Sequence, residues 1–479
     1  MICIVTWQFT LVATAARCEE KYRVTASTGI NQEQRAFFFM YHLGVFPLMT
    51  QEPILDDTRA EAERHLRENP RRLIMDDGST FRSGDRGRTY LYWVDGLLRH
   101  RGLMASLVPA HALAFVLALW ALWAGCWWQR RPLLGAMLIA VLGSNPWQLF
   151  AVYEQENVFS WPITTMILLL GVNLPMFGQQ TPPRWYPWFA AIFTGLSMAA
   201  IRTIRSEPTA LLGGVAIVYL SFGAMRWWKR FVLIAVMMAM FSLLSGYYSR
   251  LFTRGVERTN ALMRQVGGAP YTGPVQPFHE VWHALFCGLG DFDKTYGYAW
   301  DDRVAFRYAF PILARRHGGR YAWNTEANYF NTTYDPTGKY PIFWSEVPGY
   351  HDVIKQKVVG DIKRDPKWFA WIIAQRIGHT LVDTTPVRIA VGNKHKELKG
   401  HWVGPLALAT FLFATARRKW LWVKMILFAA PLSANPIIVY SGSGMCNYSC
   451  YHLLAITILA YAVMGSIAAV LWKRWGVVS

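Results

Sequence analysis

Long apolar stretches separated by short polar turns dominate the chain. They cover 103–128, 133–151, 157–177, 186–201, 209–225, 231–249, 403–416, 420–440 and 450–472. About 20 mostly apolar residues in a helix cross the roughly 30 Å of bilayer hydrocarbon, so each stretch predicts a transmembrane helix. The opening residues ICIVTWQFTLVATAA form a tenth, shorter stretch. No basic region precedes it, so it reads as a span rather than a cleaved signal. The expected class is an all-α polytopic membrane protein of about ten transmembrane helices, with two exterior (periplasmic) segments of mixed helix and loop. The expected division is a first transmembrane helix over 1–17, a first exterior loop over 18–102, and six helices over 103–249. A large exterior domain over 250–401 and three helices over 402–479 complete it.

Composition agrees: 53% of the residues are hydrophobic and only 16% charged, a poor basis for a water-soluble surface. The formal net charge of +19 would suit nucleic acid, but the cations gather in short turns between apolar runs. Gln129-Arg130-Arg131, the turn RWWKR at 226–230, Arg417-Arg418-Lys419 and Lys473-Arg474 fall on one side if every run crosses once, whereas 152–156 and 441–449 carry no Lys or Arg. That asymmetry is the positive-inside pattern, and it places both termini in the cytoplasm of a bacterial inner membrane. Membrane lipids are therefore expected partners and nucleic acid is not. Of the six cysteines, Cys18, Cys287, Cys446 and Cys450 fall in or beside exterior segments, where a disulfide and an unpaired thiol are both open readings.

Candidate chemistry lies on the exterior side. In the first loop, EPILDDTRAEAERHLRE (52–68) has helix-forming composition and stops at Asn69-Pro70. Beyond it, Asp76 and Asp77 form an acidic pair suited to a general base or to an ordinary solvated turn. Arg202 and Arg205 break the charge rule at the exterior end of a span. At i and i+3 their guanidinium groups share a helix face and can fork onto a phosphate, while the alternatives are snorkelling and a pair with Glu207. Arg250, Arg254 and Arg258 repeat at i, i+4 and i+8 in a basic helical stretch, on a face suited to anionic headgroups, a phosphorylated lipid or plain solvent.

HEVWH at 279–283 fits the H-E-x-x-H pattern of zinc peptidases, in which two histidines on one helical turn bind the metal and the glutamate is the base. The better-known third-ligand patterns are absent downstream, although Asp291 and Asp293 lie close by. The aromatic, Asn- and Gly-rich stretch YAWNTEANYFNTTYDPTGKYPIFW suits sugar rings or simple loop packing. Residues 351–384 read as amphipathic helices near the membrane surface.

The layout of a short first span, a sizeable exterior loop with an acidic pair, many further spans and a large exterior domain resembles the GT-C class of membrane glycosyltransferases. The stretch HEVWHALFCGLGDFDKTYGYAWDDRVAF (279–306) also resembles a segment of bacterial membrane proteins from polysaccharide-type gene sets, with the form H-x-x-W-H, then G-L-G, then Y-G, then an acidic residue. Its matched positions are His279, Trp282, His283, Gly288, Leu289, Gly290, Tyr296, Gly297 and Asp302.

The resemblance implies transfer of a sugar from a polyprenyl-phosphate-type donor to a glycan or lipid acceptor at the exterior face. It implies Asp76 or Asp77 as the catalytic base, with Asp56-Asp57 as the alternative. Arg202, Arg205 and Arg254 would hold the donor phosphate, and His279, Trp282, His283 and Asp302 would wall the substrate cavity. No metal site is assigned and no cofactor is required, although a divalent cation is compatible with the scheme. A zinc metallopeptidase built on HEVWH, and a lipid or polysaccharide flippase without catalysis, are the alternatives.

Overall fold

The computed structural model describes residues 32–45, 54–68, 108–132 with four residues of 135–139, 160–178, 181–204, 207–266, 281–318, 349–382, 400–416 and 420–439. Five short strands between 322 and 398 complete the described set. The expected spans at 1–17 and 450–472, most of 133–151, and Asn145-Pro146 lie outside these residues.

The described chain is helical apart from two small antiparallel sheets. Its helices are α1 (Gln32–Leu43), α2 (Arg59–Glu68), α3 (Val108–Trp128), α4 (Ser160–Asn173), α5 (Tyr186–Arg202), α6 (Leu211–Leu220) and α7 (Trp227–Gln265). They continue with α8 (Val281–Leu289), α9 (Asp302–His317), α10 (Tyr350–Arg364), α11 (Pro366–Val382), α12 (Gly400–Ala416), α13 (Trp420–Ala429) and α14 (Ala434–Ile438). Strands β1 (Ala322–Trp323), β2 (Thr333–Tyr334) and β3 (Pro341–Ile342) pair antiparallel in that order, and β4 (Val387–Val391) pairs antiparallel with β5 (Lys394–Leu398).

Helices α3 to α6, the first half of α7, and α13 form an apolar bundle whose helices meet at glycines. A Cβ on Gly171 would collide with the backbone of α3 at Ala121 and Leu122, one on Gly195 with the Met237 carbonyl of α7, and one on Gly214 with the Phe428 carbonyl of α13. Small residues at crossings let backbones approach closely, as membrane helices require when the hydrophobic effect gives no drive to associate. Polar side chains inside the bundle are paired across helices. Tyr219 donates to Asn173 Oδ1 at 2.8 Å, Asn173 Nδ2 donates to Thr194 Oγ1 at 3.1 Å, and all three residues are fully buried. His111 meets Thr164 Oγ1 at 3.1 Å and stacks on Trp161.

Among the described residues two helices are long and apolar enough to cross a membrane, α3 and α7, and shorter apolar helices accompany them in 161–176, 208–220 and 423–432. Helix α7 joins two stretches that the composition separates. The run 231–249 and the basic stretch after it form a single helix of 39 residues, about 58 Å long at 1.5 Å per residue. The physical reason is register. Phe252, Val256, Thr259 and Met263 repeat at 4, 3 and 4 positions, so a buried stripe continues past the point where the composition turns polar.

That second half of α7 is the spine of a second, more polar body. Met263 packs with Phe38, Phe39, Val45, Ala62 and Leu66, while Met40 of α1 meets Phe252. Val256 joins the core formed by α8 to α11, which includes Phe286, Tyr298, Phe306, Phe310, Tyr350 and Ile372. Both segments expected outside the membrane therefore fasten onto one helix. The amphipathic stretch expected over 351–384 is two helices broken at Asp365-Pro366, where proline supplies no backbone donor.

Candidate functional site

In the first of these segments, Thr58 sets the start of α2. Its hydroxyl accepts from the Glu61 backbone N–H at 3.2 Å as an N-cap, and the Glu61 carboxylate reaches back past the cap to the Leu55 N–H at 3.1 Å. Helix α2 therefore begins at Arg59 rather than near 52, and it ends at Glu68, before Asn69-Pro70 as expected. Arg64 forks onto both oxygens of Glu61, at 2.8 and 2.7 Å, and reaches Glu68 at 2.6 Å. Those bonds, with the Leu55 N–H, hold the Glu61 carboxyl down at about 2. His65 is fully buried against the edges of Phe38 and Phe39, 3.3 Å from Glu61.

The cap brings Asp57 to the N-terminus of α2 and within 2.8 Å of His42 Nε2, in the last turn of α1. A carboxylate only accepts, so Nε2 is the donor of this bond. The start of α2 favours the anion that Asp57 places there. The result is a carboxylate–imidazole pair, with Asp57 on the surface and His42 half-buried, able to take and return a proton.

The HEVWH segment has a different part. Its described residues are Val281, Trp282 and His283; His279 and Glu280 lie outside the described set. His283 is 1% exposed, its Nδ1 lies 2.8 Å from the Tyr350 hydroxyl, and its Nε2 lies 3.8 Å from Cys287 Sγ. Both ring nitrogens face the core, so this histidine holds α8 onto α10. Trp282 packs at the edge of the same core beneath the Lys355 ammonium, 5.5 Å from the ring centre. Among the described residues no three His, Cys, Asp or Glu converge to hold a metal ion. Cys287 and Cys126 are buried and are not joined in a disulfide.

The stretch after α8 is also architectural. Gly290 lies so close to Ala299 that a Cβ would strike its backbone, and Gly297 has φ of +76°, a conformation that favours glycine. The resulting loop fastens onto the corner between α10 and α11. Tyr296 donates to Asp365 at 3.2 Å and Tyr298 to Asp361 at 2.8 Å. Lys357 pairs with Asp361 at 2.9 Å and lies 4.8 and 4.9 Å over the rings of Tyr298 and Tyr308. Asp293 accepts from Thr295 and from the Trp368 indole N–H, contacts that hold its carboxyl below the usual range. Asp302 is the first residue of α9, and its side chain lies outside the described set; the neighbouring Asp301 caps that helix through the Arg303 N–H.

Two charged residues in this body were not singled out as a pair by sequence. Arg376 is 0% exposed, and its Nε lies 3.5 Å from the Asp291 carboxylate, itself 4% exposed. Arg376 Nη1 also donates to the Ile438 carbonyl at 2.7 Å, at the end of α14. The available signal is that Trp368, Ile372 and Arg376 repeat at i, i+4 and i+8, so the arginine continues a buried apolar stripe. The His42–Asp57 pair carries no comparable signal, because its partners come from different helices.

Of the expected phosphate-binding cations, Arg202 is exposed at the end of α5, its guanidinium 5.7 Å from the centre of the Phe241 ring. Arg254 is exposed on α7, thirteen residues or about 20 Å beyond Phe241 along the helix, so it and Arg202 occupy separate levels. Arg205, Asp76 and Asp77 lie outside the described residues. No protein family, curated protein or solved structure matches the chain.

Proposed function

We propose that this protein is an integral-membrane glycosyltransferase of GT-C type, moving a sugar from a polyprenyl-phosphate-type lipid donor to a glycan or lipid acceptor at the exterior face, in cell-surface glycan or glycolipid assembly. The observation that carries the reading is α7. Its apolar first half is long enough to cross a bilayer, and its polar second half gathers both remaining segments at one membrane face. A lipid-linked donor presents its phosphate at that level.

Ten spans with both termini in the cytoplasm complete the proposal. Helices α5 and α7 support it by running parallel: Gly195 faces Met237, and further on Arg202 faces Phe241, so α6 between them returns. The basic turns at 226–230 and 417–419 also belong to one side in this scheme, and Lys424 lies within electrostatic reach of Arg230.

Arg202 suits the donor phosphate. Phe241 stands six residues, about 9 Å, short of the Tyr247–Tyr248 ring pair that marks the exterior edge of the span. A cation at that depth meets a lipid phosphate from below and stabilises the charge on the leaving group. Asp57, oriented by His42, is the base for the acceptor hydroxyl, with Asp76 and Asp77 as the alternative bearers of that role. The burial of His283 speaks against the peptidase reading, since a catalytic zinc keeps an open position for water and substrate.

The test is transfer of radiolabelled sugar from polyprenyl-phosphate donors by the purified protein in lipid nanodiscs. Asp57→Asn is expected to lower turnover by roughly 100- to 10,000-fold, the range for loss of a general base, with its unfolding temperature unchanged. Arg202→Gln should raise the donor concentration needed for half-maximal rate. Unaltered transfer by a folded Asp57→Asn would move the base to Asp76 or Asp77, and unaltered transfer by variants of all three would end the proposal.

A further inference from the structure

The exposed side of α7 is one continuous stripe that changes chemistry halfway. Leu243 and Tyr247 are exposed at 66 and 58%, and the same side continues through Arg250, Arg254, Arg258 and Arg264, all exposed. The steps from 243 through 247, 250, 254 and 258 are 4, 3, 4 and 4, the spacing of a single helix face. Opposite it, Phe252, Val256, Thr259 and Met263 are buried and fix the helix in place. Among the described residues no carboxylate is paired with these four arginines, and Glu257 is the one acid beside them on the exposed side.

The geometry points to a docking track for a linear polyanion, such as an acidic glycan strand with repeated carboxylate or phosphate groups, running outward along α7. Arg250 stands just past Tyr247, whereas Arg254, Arg258 and Arg264 lie about 6, 12 and 21 Å further along the helix. A flat layer of headgroups meets only the first of them. An extended chain lying along the axis meets all four, and guanidinium forks match both carboxylates and phosphates. This inference takes from the proposed function only the outward direction of α7, and it deepens that reading by naming the charge and shape of the chain being handled.

The test is direct binding of linear polygalacturonate to the full-length protein in nanodiscs of zwitterionic lipid, with monomeric galacturonate and inorganic phosphate as single-anion probes. The triple variant Arg250→Gln, Arg254→Gln, Arg258→Gln should bind the polymer roughly a hundredfold more weakly, about fivefold per arginine. Wild-type binding should weaken steeply with added salt. Removing two exposed cations elsewhere, Arg315→Gln with Arg316→Gln, should leave it unchanged. Equal polymer binding by the triple variant overturns the inference. So does competition by galacturonate monomer at equal sugar concentration, which indicates a single-anion pocket, and so does polymer-independent protection of the arginines in a second set of discs made with anionic lipid, which indicates a membrane surface. None of these readouts needs sugar transfer, so the track and the catalytic proposal fail separately.

Discussion

Arg376 and Asp291 sit together where water does not reach, and each is tolerated there because of the other. Removing one partner of a buried pair leaves the remaining charge uncompensated, at about 3 to 5 kcal/mol. Asp291→Asn and Arg376→Met are each expected to lower the unfolding temperature sharply. The double variant should recover part of the loss, because neither charge is then left buried without its partner. Equal, additive losses in a double-mutant cycle would show that the two side chains do not interact. Glu61 gives a second prediction, with a definite sign. Its carboxyl is held at about 2 against an ordinary 4.5, first by hydrogen bonds from Arg64. The stability it lends is present in full above pH 4.5 and is lost as the pH falls towards 2. Amide protection factors in residues 59–68 should therefore fall across that window, and Glu61→Gln should remove the acid-dependent step while leaving the helix less protected at neutral pH.

At the scale of elements, the crossing of α5 and α7 depends on Gly195. Gly195→Leu should separate the helices and lower stability by about 1 to 3 kcal/mol, the usual range for overpacking. Gly246→Ala, one turn from the end of the same span, has open space around the new methyl and should be neutral or slightly stabilising. Thermal unfolding of both variants checks the contrast. Several of these elements were legible in the sequence. The end of α2 before Asn69-Pro70, the apolar helices and the 250/254/258 spacing all follow from local chemistry. The continuity of α7 was harder, because the change to polar composition at 249–250 looks like a boundary while the buried stripe crosses it in register. The segment with HEVWH shows the complementary limit. Its helix and its glycines can be read locally, but the role of His283 depends on Tyr350, 67 residues away. Within a motif that suggested zinc chemistry, His283 fastens α8 to α10.

At the scale of the whole molecule, the apolar bundle and the polar body are both built on α7, and everything proposed about function depends on its direction. If α7 crosses the bilayer outward, Arg202 lies beneath the exterior edge, the His42–Asp57 pair lies beyond it, and the arginine stripe points away from the membrane. The composition change along α7 predicts that direction through the basic turn at its start, RWWKR, on the cytoplasmic side. Sided labelling of single cysteines in a cysteine-free background, in intact cells and in inverted vesicles, measures it directly. Arg258→Cys is expected to react with a membrane-impermeant maleimide only from outside, Lys229→Cys only from the cytoplasmic side, and Leu243→Cys from neither. Labelling of Arg258→Cys from the cytoplasmic side, or free labelling of Leu243→Cys in water, would contradict the account.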